Sequence, residues 1–114
     1  VTVMEERVYI ALLYDFYGGL LTDKQKEMLE MYYLSDLSLQ EIGESAGVSR
    51  QAVSDLLRRT KKLLLDYEAR LGLADRHMQL MAKVDMLDAC ADAASTGNKM
   101  LAQMKDILEE IRLL

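Results

Sequence analysis

Between residues 38 and 54 the chain carries two helix-start signals separated by a glycine, and this punctuation restricts the fold more than any other feature. Ser38-Leu39-Gln40-Glu41 has the form of a capping box, in which a serine hydroxyl and a glutamate three residues on each satisfy an orphan backbone N–H. Leu37 and Ile42 stand where a hydrophobic staple would clamp the entry of the chain. The helix so opened is short, because Gly47 follows it closely and can adopt positive φ. Ser49 is then an N-cap for a second helix, with Val48 and Val53 as its staple. Two helices joined through such a turn make a helix-turn-helix over residues 38–59. Gly43 lets the second helix approach closely, and Ile42, Ala46, Val48, Val53 and Leu56 are expected to close the core between the two.

The remainder reads as further helices, since proline is absent and the six glycines fall at breaks. A first helix is expected from Met4 to Tyr17, with Val8, Leu12 and Phe16 repeating every four residues beside Tyr9, Leu13 and Tyr17, before Gly18–Gly19. Thr22-Asp23-Lys24-Gln25 is another capping box, opening a helix whose buried face is Met28, Leu29, Tyr32 and Tyr33 and which fades at Leu34-Ser35-Asp36. After the turn the apolar spacing continues through Leu56/Leu57, Thr60, Leu63/Leu64 and Tyr67 to Leu71, so the second helix of the motif should span roughly 33 Å and stop before Gly72. His77, Leu80, Val84, Leu87, Ala91 and Ala94 define one further helix, and Leu101, Met104, Leu108 and Ile111 another. Ser95-Thr96-Gly97-Asn98 separates them and can cap the second. The organisation expected is a helix-turn-helix domain over 4–71 and a C-terminal helical segment over 72–114 that packs or dimerises.

With 114 residues, 51% of them hydrophobic, the chain can bury a core without disulfides or metal, and disorder is excluded. The longest apolar stretch, Val8 to Leu21, is broken by Asp15 and Gly18–Gly19; it is too short to span a membrane, and no positively charged head precedes it. Cys90 is the single cysteine and cannot form an internal disulfide. A cytoplasmic protein without membrane contact is expected.

The net charge of −5 argues against a nucleic-acid partner until its distribution is considered. Residues 1–47 carry three basic against nine acidic side chains, a net of −6. Residues 48–76 carry seven against four, a net of +3, and residues 77–114 four against six, a net of −2. Positive charge is therefore gathered on one helix of an acidic chain.

That helix is the second of the motif, the position from which a recognition helix enters a major groove. With Ala52, Val53, Leu56 and Leu57 inward, Ser49, Arg50, Gln51, Ser54, Asp55 and Arg58 face out. Arg50 suits guanine, Gln51 adenine, and Ser54 a base or a phosphate. Arg58, Arg59, Lys61 and Lys62 suit phosphates. Asp55 either accepts from cytosine or pairs with Arg58 or Arg59, and helical spacing favours the pairing. The same residues also fit a solvated amphipathic face, and the same scaffold serves as a protein-docking module.

Other residues point to less. His77 opens an apolar stripe and reads as a packed helix residue, and Cys90 lacks the companions a zinc site needs. Asp85, Asp88 and Asp92 repeat as metal ligands might, but a solvated helix face explains them better. The methionines at 78, 81, 86, 100 and 104 read as adaptable core. Without a nucleophile–base pair, phosphate loop or paired-carboxylate motif, neither catalysis nor a metal or other cofactor is expected.

Leu21-Thr22-Asp23-Lys24-Gln25, Ser38-Leu39-Gln40-Glu41-Ile42 and Gly47-Val48-Ser49-Arg50-Gln51-Ala52-Val53-Ser54-Asp55 together resemble region four of bacterial sigma factors, where such a motif recognises a promoter element. Over residues 4–70 the chain is more closely similar to the YlxM-like family of small bacterial helix-turn-helix proteins. The resemblance implies an all-α fold of the sigma region-four or winged-helix-like DNA-binding type, with an extended recognition helix and additional C-terminal helices. That family is associated with genes for the signal recognition particle and its receptor. The resemblance thus implies a bacterial, cytoplasmic regulatory or accessory protein whose partner is DNA, or the RNA or protein of that particle. Two leucine- and methionine-rich C-terminal stripes add the expectation of a homodimer.

Overall fold

The helix starts of the computed structural model, which describes residues 3–94 and 99–114, fall where side chains can cap them. Helix α1 spans Val3–Tyr17 and is followed by a single 3₁₀ turn at Gly18–Leu20. Helix α2, Asp23–Leu29, opens on the expected box: the Gln25 N–H donates to Thr22 Oγ1 at 3.2 Å and the Thr22 N–H to Gln25 Oε1 at 2.9 Å. Helix α3, Leu39–Ala46, repeats the device, with reciprocal 3.1 Å bonds between Ser38 and Glu41. Helix α4, Arg50–Leu71, starts where the Ala52 N–H donates to Ser49 Oγ at 3.1 Å, and it ends at Gly72. Each cap of this kind contributes about 1 kcal/mol. Helices α5, Leu73–Ala94, and α6, Lys99–Arg112, complete an all-α chain with no strand among the described residues. The cap expected from Ser95 to Asn98 lies outside the described residues.

Helix α4 is the spine of the first unit, which ends at Ala74. Its early turns put Val53 and Leu57 into a cluster with Met28 and Ile42, and these four close the helix-turn-helix. Two turns later Leu64 joins Ile10, Leu13, Tyr17, Leu21 and Leu29 in a second cluster. Leu29, Ile42, Val53 and Leu64 are fully buried, each stabilising the fold by roughly 1.5–3 kcal/mol. Thr60, between Leu57 and Leu64 in the chain, is fully buried and donates its hydroxyl to the Leu56 carbonyl at 2.8 Å, so that hydroxyl is not stranded.

Several side chains face otherwise than expected. The inward face of α1 centres on Ile10, Leu13 and Tyr17, while Val8 is 65% and Phe16 37% exposed. Apolar residues run unbroken from Val8 to Leu13, so the sequence pattern does not choose among neighbouring registers. Ala46 and Ala52 are exposed because Ile42, Val53 and Leu57 already fill the narrow space between α3 and α4.

After Leu29 the chain widens into a π turn over Glu30–Leu34. The Ser35 N–H donates to the Glu30 carbonyl and the Leu37 N–H to the Met31 carbonyl, both at 2.9 Å. Asp36 takes a left-handed conformation, φ 60°, which aspartate tolerates better than most residues. Arg7 of α1 holds this turn. Its Nη1 donates to the Tyr32 carbonyl at 2.9 Å and lies 3.4 Å from the Asp36 carboxylate, while its guanidinium packs over the Tyr32 ring. Nearby, the Tyr14 hydroxyl donates to Glu30 at 2.5 Å; burial and that bond together push the phenol pKa up to about 12.

The second unit, from Asp75 onward, holds the rest of α5 and all of α6. Its two helices run antiparallel, joined by Lys105 to Asp88 and Asp92 and by Arg112 to Asp85 at 2.7 Å and Asp88 at 3.3 Å. The bond to Asp92 raises the Lys105 pKa and the bond to Asp85 raises that of Arg112. Asp85, Asp88 and Asp92 are therefore cation partners rather than a bare solvated face, and no metal-holding cluster occurs among the described residues. Val84, Ala91 and Leu108 are buried, but Leu80, Leu87, Met78, Met86, Met100 and Met104 are exposed. Two helices can cover only one face of each other, so these methionines do not form the adaptable core the sequence suggested. No helix of the described residues is long and apolar enough to cross a membrane.

Candidate nucleic-acid interface

Glycine sets the angle at which α4 is presented. A Cβ at Gly43 would lie 2.8 Å from the Val48 carbonyl oxygen, so only glycine lets the turn pass this close to α3. The Val48 N–H donates back to the Gly43 carbonyl at 3.0 Å. Gly47 sits at φ 71°, a region that side chains with a Cβ avoid. Both positions of the turn therefore call for glycine, and the first turn of α4 projects from it.

Advancing about 100° per residue, Gln51, Asp55, Arg58 and Lys62 fall on one arc of α4 opposite Val53, Leu57, Thr60 and Leu64. Arg50, Ser54 and Lys61 occupy one flank of that arc, and Arg59 the other. Ser49 is engaged as the N-cap, leaving its hydroxyl hydrogen to donate. Arg50, Gln51, Arg58, Arg59 and Lys62 are exposed, Ser54 and Lys61 half-buried. The expected residues thus share one helix but not one face.

The electrostatics divide them further. Asp55 accepts from Gln51 Nε2 at 3.2 Å and lies 3.8 Å from Arg58 Nη2, so it pairs along the helix as spacing favoured. Lys61 pairs with Glu6 of α1. Among the described residues Arg50, Arg59 and Lys62 carry no ion-pair partner. The first turns of α1, α2 and α3 hold acidic residues, whereas that of α4 holds none and carries Arg50 instead. Apart from the Ala52 N–H that Ser49 caps, the partial positive charge of this helix start is not offset by an acidic side chain of its first turn.

Tyr32 and Tyr33 were expected in the core, yet both are only half-buried. They stand edge to face, 4.9 Å between centroids, beside Ser54, Arg58 and Lys61 of α4. No local signal marks them, because their exposure goes with a π turn that Arg7, 25 residues before Tyr32, contacts from α1.

Comparison with known proteins agrees with the helix-turn-helix fold. The family model described as "Putative helix-turn-helix protein, YlxM / p13 like" matches residues 4–107, reaching well beyond residue 70 into the C-terminal helices. A UPF0122 protein of Caldanaerobacter subterraneus subsp. tengcongensis is 49% identical over 86 residues, covering 75% of this chain and 74% of its own. A UPF0122 protein of Symbiobacterium thermophilum is 44% identical over 104 residues, covering 90% and 97%. One from Clostridium novyi is 43% identical over 110 residues, covering 96% and 94%.

Proposed function

We propose that this chain, which belongs to the UPF0122 family of YlxM/p13-like helix-turn-helix proteins, is a regulatory protein that binds nucleic acid through the first turns of α4. The observation that carries this reading is the exposed Arg50–Gln51 pair at a helix start free of acidic residues, held outward by the Gly43–Gly47 turn. Arg50 and Gln51 supply base-edge donors and acceptors, and Arg58, Arg59 and Lys62 the phosphate contacts. Ser54 and Lys61 are closer to the flank and contribute where the strand passes the π turn. The resemblance to the YlxM-like family supports a regulatory role in protein targeting, with signal recognition particle RNA or protein as a further partner and the cytoplasm as the compartment.

A second reading is favoured by Asp55, whose carboxylate sits among the outward cations and repels phosphate. In that reading the chain is an accessory module of the signal recognition particle without sequence-specific DNA binding. Selection from a random DNA pool, run beside binding to signal recognition particle RNA at two salt concentrations, separates the two. An enriched DNA motif supports the first; RNA or protein binding with no DNA motif supports the second.

The C-terminal unit is proposed to pair two copies of the chain. Leu80, Leu87, Met86 and Ile107 are each at least half exposed on a two-helix unit, more apolar surface than such a unit covers by itself. A symmetric dimer placing two α4 helices roughly 34 Å apart would match successive major grooves.

A further inference from the structure

On the flank of α4 that carries Ser54 and Lys61 lies a cleft of about 210 Å³, walled by Tyr32 and Tyr33 of the π turn and by Ser54, Leu57, Arg58 and Lys61. We propose that this cleft takes one unpaired nucleotide of a single-stranded or looped nucleic acid, the base against the tyrosines and its phosphate at Arg58 and Lys61. The inference rests on the nucleic-acid reading above and specifies the state of the strand.

Three features converge on that occupant. The first is aromatic. Two large rings lie half-exposed, edge to face at 86°, with the Arg7 guanidinium 4.7 Å from the Tyr32 centroid and 5.5 Å from the Tyr33 centroid. Stacking on such a ring tolerates any base. The second is size. The cleft is smaller than the roughly 300–1,000 Å³ of sites for larger ligands, and so suits one flat ring system. The third is charge. Arg58 is largely exposed and Lys61 about one third so, and both flank the aromatic walls, each paired with a carboxylate, Asp55 or Glu6, that an incoming phosphate would displace. Ser54 adds a hydroxyl that can donate or accept at a base edge.

A duplex cannot use this combination. Paired bases show their edges in the grooves but keep their faces stacked, whereas bases in loops and single strands splay onto aromatic side chains. The outward arc of α4 can read edges; the tyrosine cleft beside it reads a face. Both lie in the first unit, and a hairpin loop next to its stem would engage them together.

Fluorescence anisotropy on the full chain, comparing a mixed-sequence single-stranded RNA with the duplex made from the same strand, tests this directly. Tyr33→Leu should weaken single-strand binding roughly tenfold, with duplex binding changed by less than about twofold, and Tyr33→Phe should restore it. The chain has no tryptophan, so quenching of tyrosine emission in the wild type gives a second readout that needs no variant. Quenching by the single strand and not by the duplex is expected. Equal loss for both strand forms, an unaffected Tyr33→Leu, or equal quenching would overturn the cleft while leaving α4 as a nucleic-acid reader. Absence of binding to either form would instead overturn that broader reading.

Discussion

The Tyr17 hydroxyl lies 2.6 Å from Glu68 Oε1, tying the last residue of α1 to the last turns of α4. The same two oxygens serve a second purpose. Tyr17 Oη accepts the Leu73 N–H at 3.1 Å and Glu68 Oε1 the Ala74 N–H at 3.0 Å, which satisfies the first two donors of α5. Burial, more than the Glu68 bond, holds the Tyr17 pKa above its ordinary value, so the hydroxyl stays a donor through the neutral range.

Tyr17→Phe keeps the ring in the core but removes one donor and one acceptor, leaving the Leu73 N–H without its partner. A fall of roughly 5–10 °C in the melting midpoint is expected, followed by circular dichroism. A midpoint equal to that of the wild type would show that the pair contributes nothing to joining α1, α4 and the start of α5.

Gly43→Ala tests the turn. Helix propensity alone predicts stabilisation by up to about 1 kcal/mol, since alanine is the better helix former. The 2.8 Å approach to the Val48 carbonyl predicts the opposite, because that neighbour is backbone and cannot swing aside. Destabilisation of about 1–3 kcal/mol in a urea titration is expected. A stabilised variant would mean that the turn relaxes at little cost.

Much of this was legible beforehand, for physical reasons that can be named. Ser38, Gly47, Ser49 and Gly72 are local signals, each acting within four residues, and each falls at a helix end. The fold class and the reach of α4 to Leu71 follow from them. The π turn was not legible, because it depends on Arg7 reaching across from α1 to a carbonyl 25 residues away. Tyr32 and Tyr33 looked like core for the same reason: their spacing is apolar, and only the widened turn leaves them half-exposed. On the candidate interface the residue types were legible, but Lys61 pairs with Glu6, a contact 55 residues distant that no local pattern encodes.

Asp55→Ala should strengthen binding to nucleic acid. The carboxylate holds Gln51 and Arg58 and adds a negative charge to the outward arc, so its removal frees both donors. A two- to tenfold tighter dissociation constant at low salt is expected, the scale of about 0.4–1.4 kcal/mol for one partly screened charge. Filter binding or anisotropy measures it. Weaker binding would mean that Asp55 itself accepts from a base, as a cytosine contact requires.

Leu87→Glu should disrupt self-association, since Leu87 is 53% exposed on α5 and a charge there would be buried between copies. Light scattering over a range of concentrations should give a dimer mass for the wild type and a monomer mass for the variant. A wild-type monomer at every concentration would refute pairing through this unit.

The most direct test of the central claim is the salt dependence of nucleic-acid affinity for the wild type and for Arg50→Ala. A linear fall of log affinity with log salt is expected, at roughly 0.9 per phosphate neutralised on a duplex. Arg50→Ala should lose sequence preference, whereas Lys62→Ala weakens all sequences alike and lowers the slope by about 1. Affinity that ignores salt and is untouched by Arg50→Ala would contradict the assignment of α4 as the nucleic-acid-binding element.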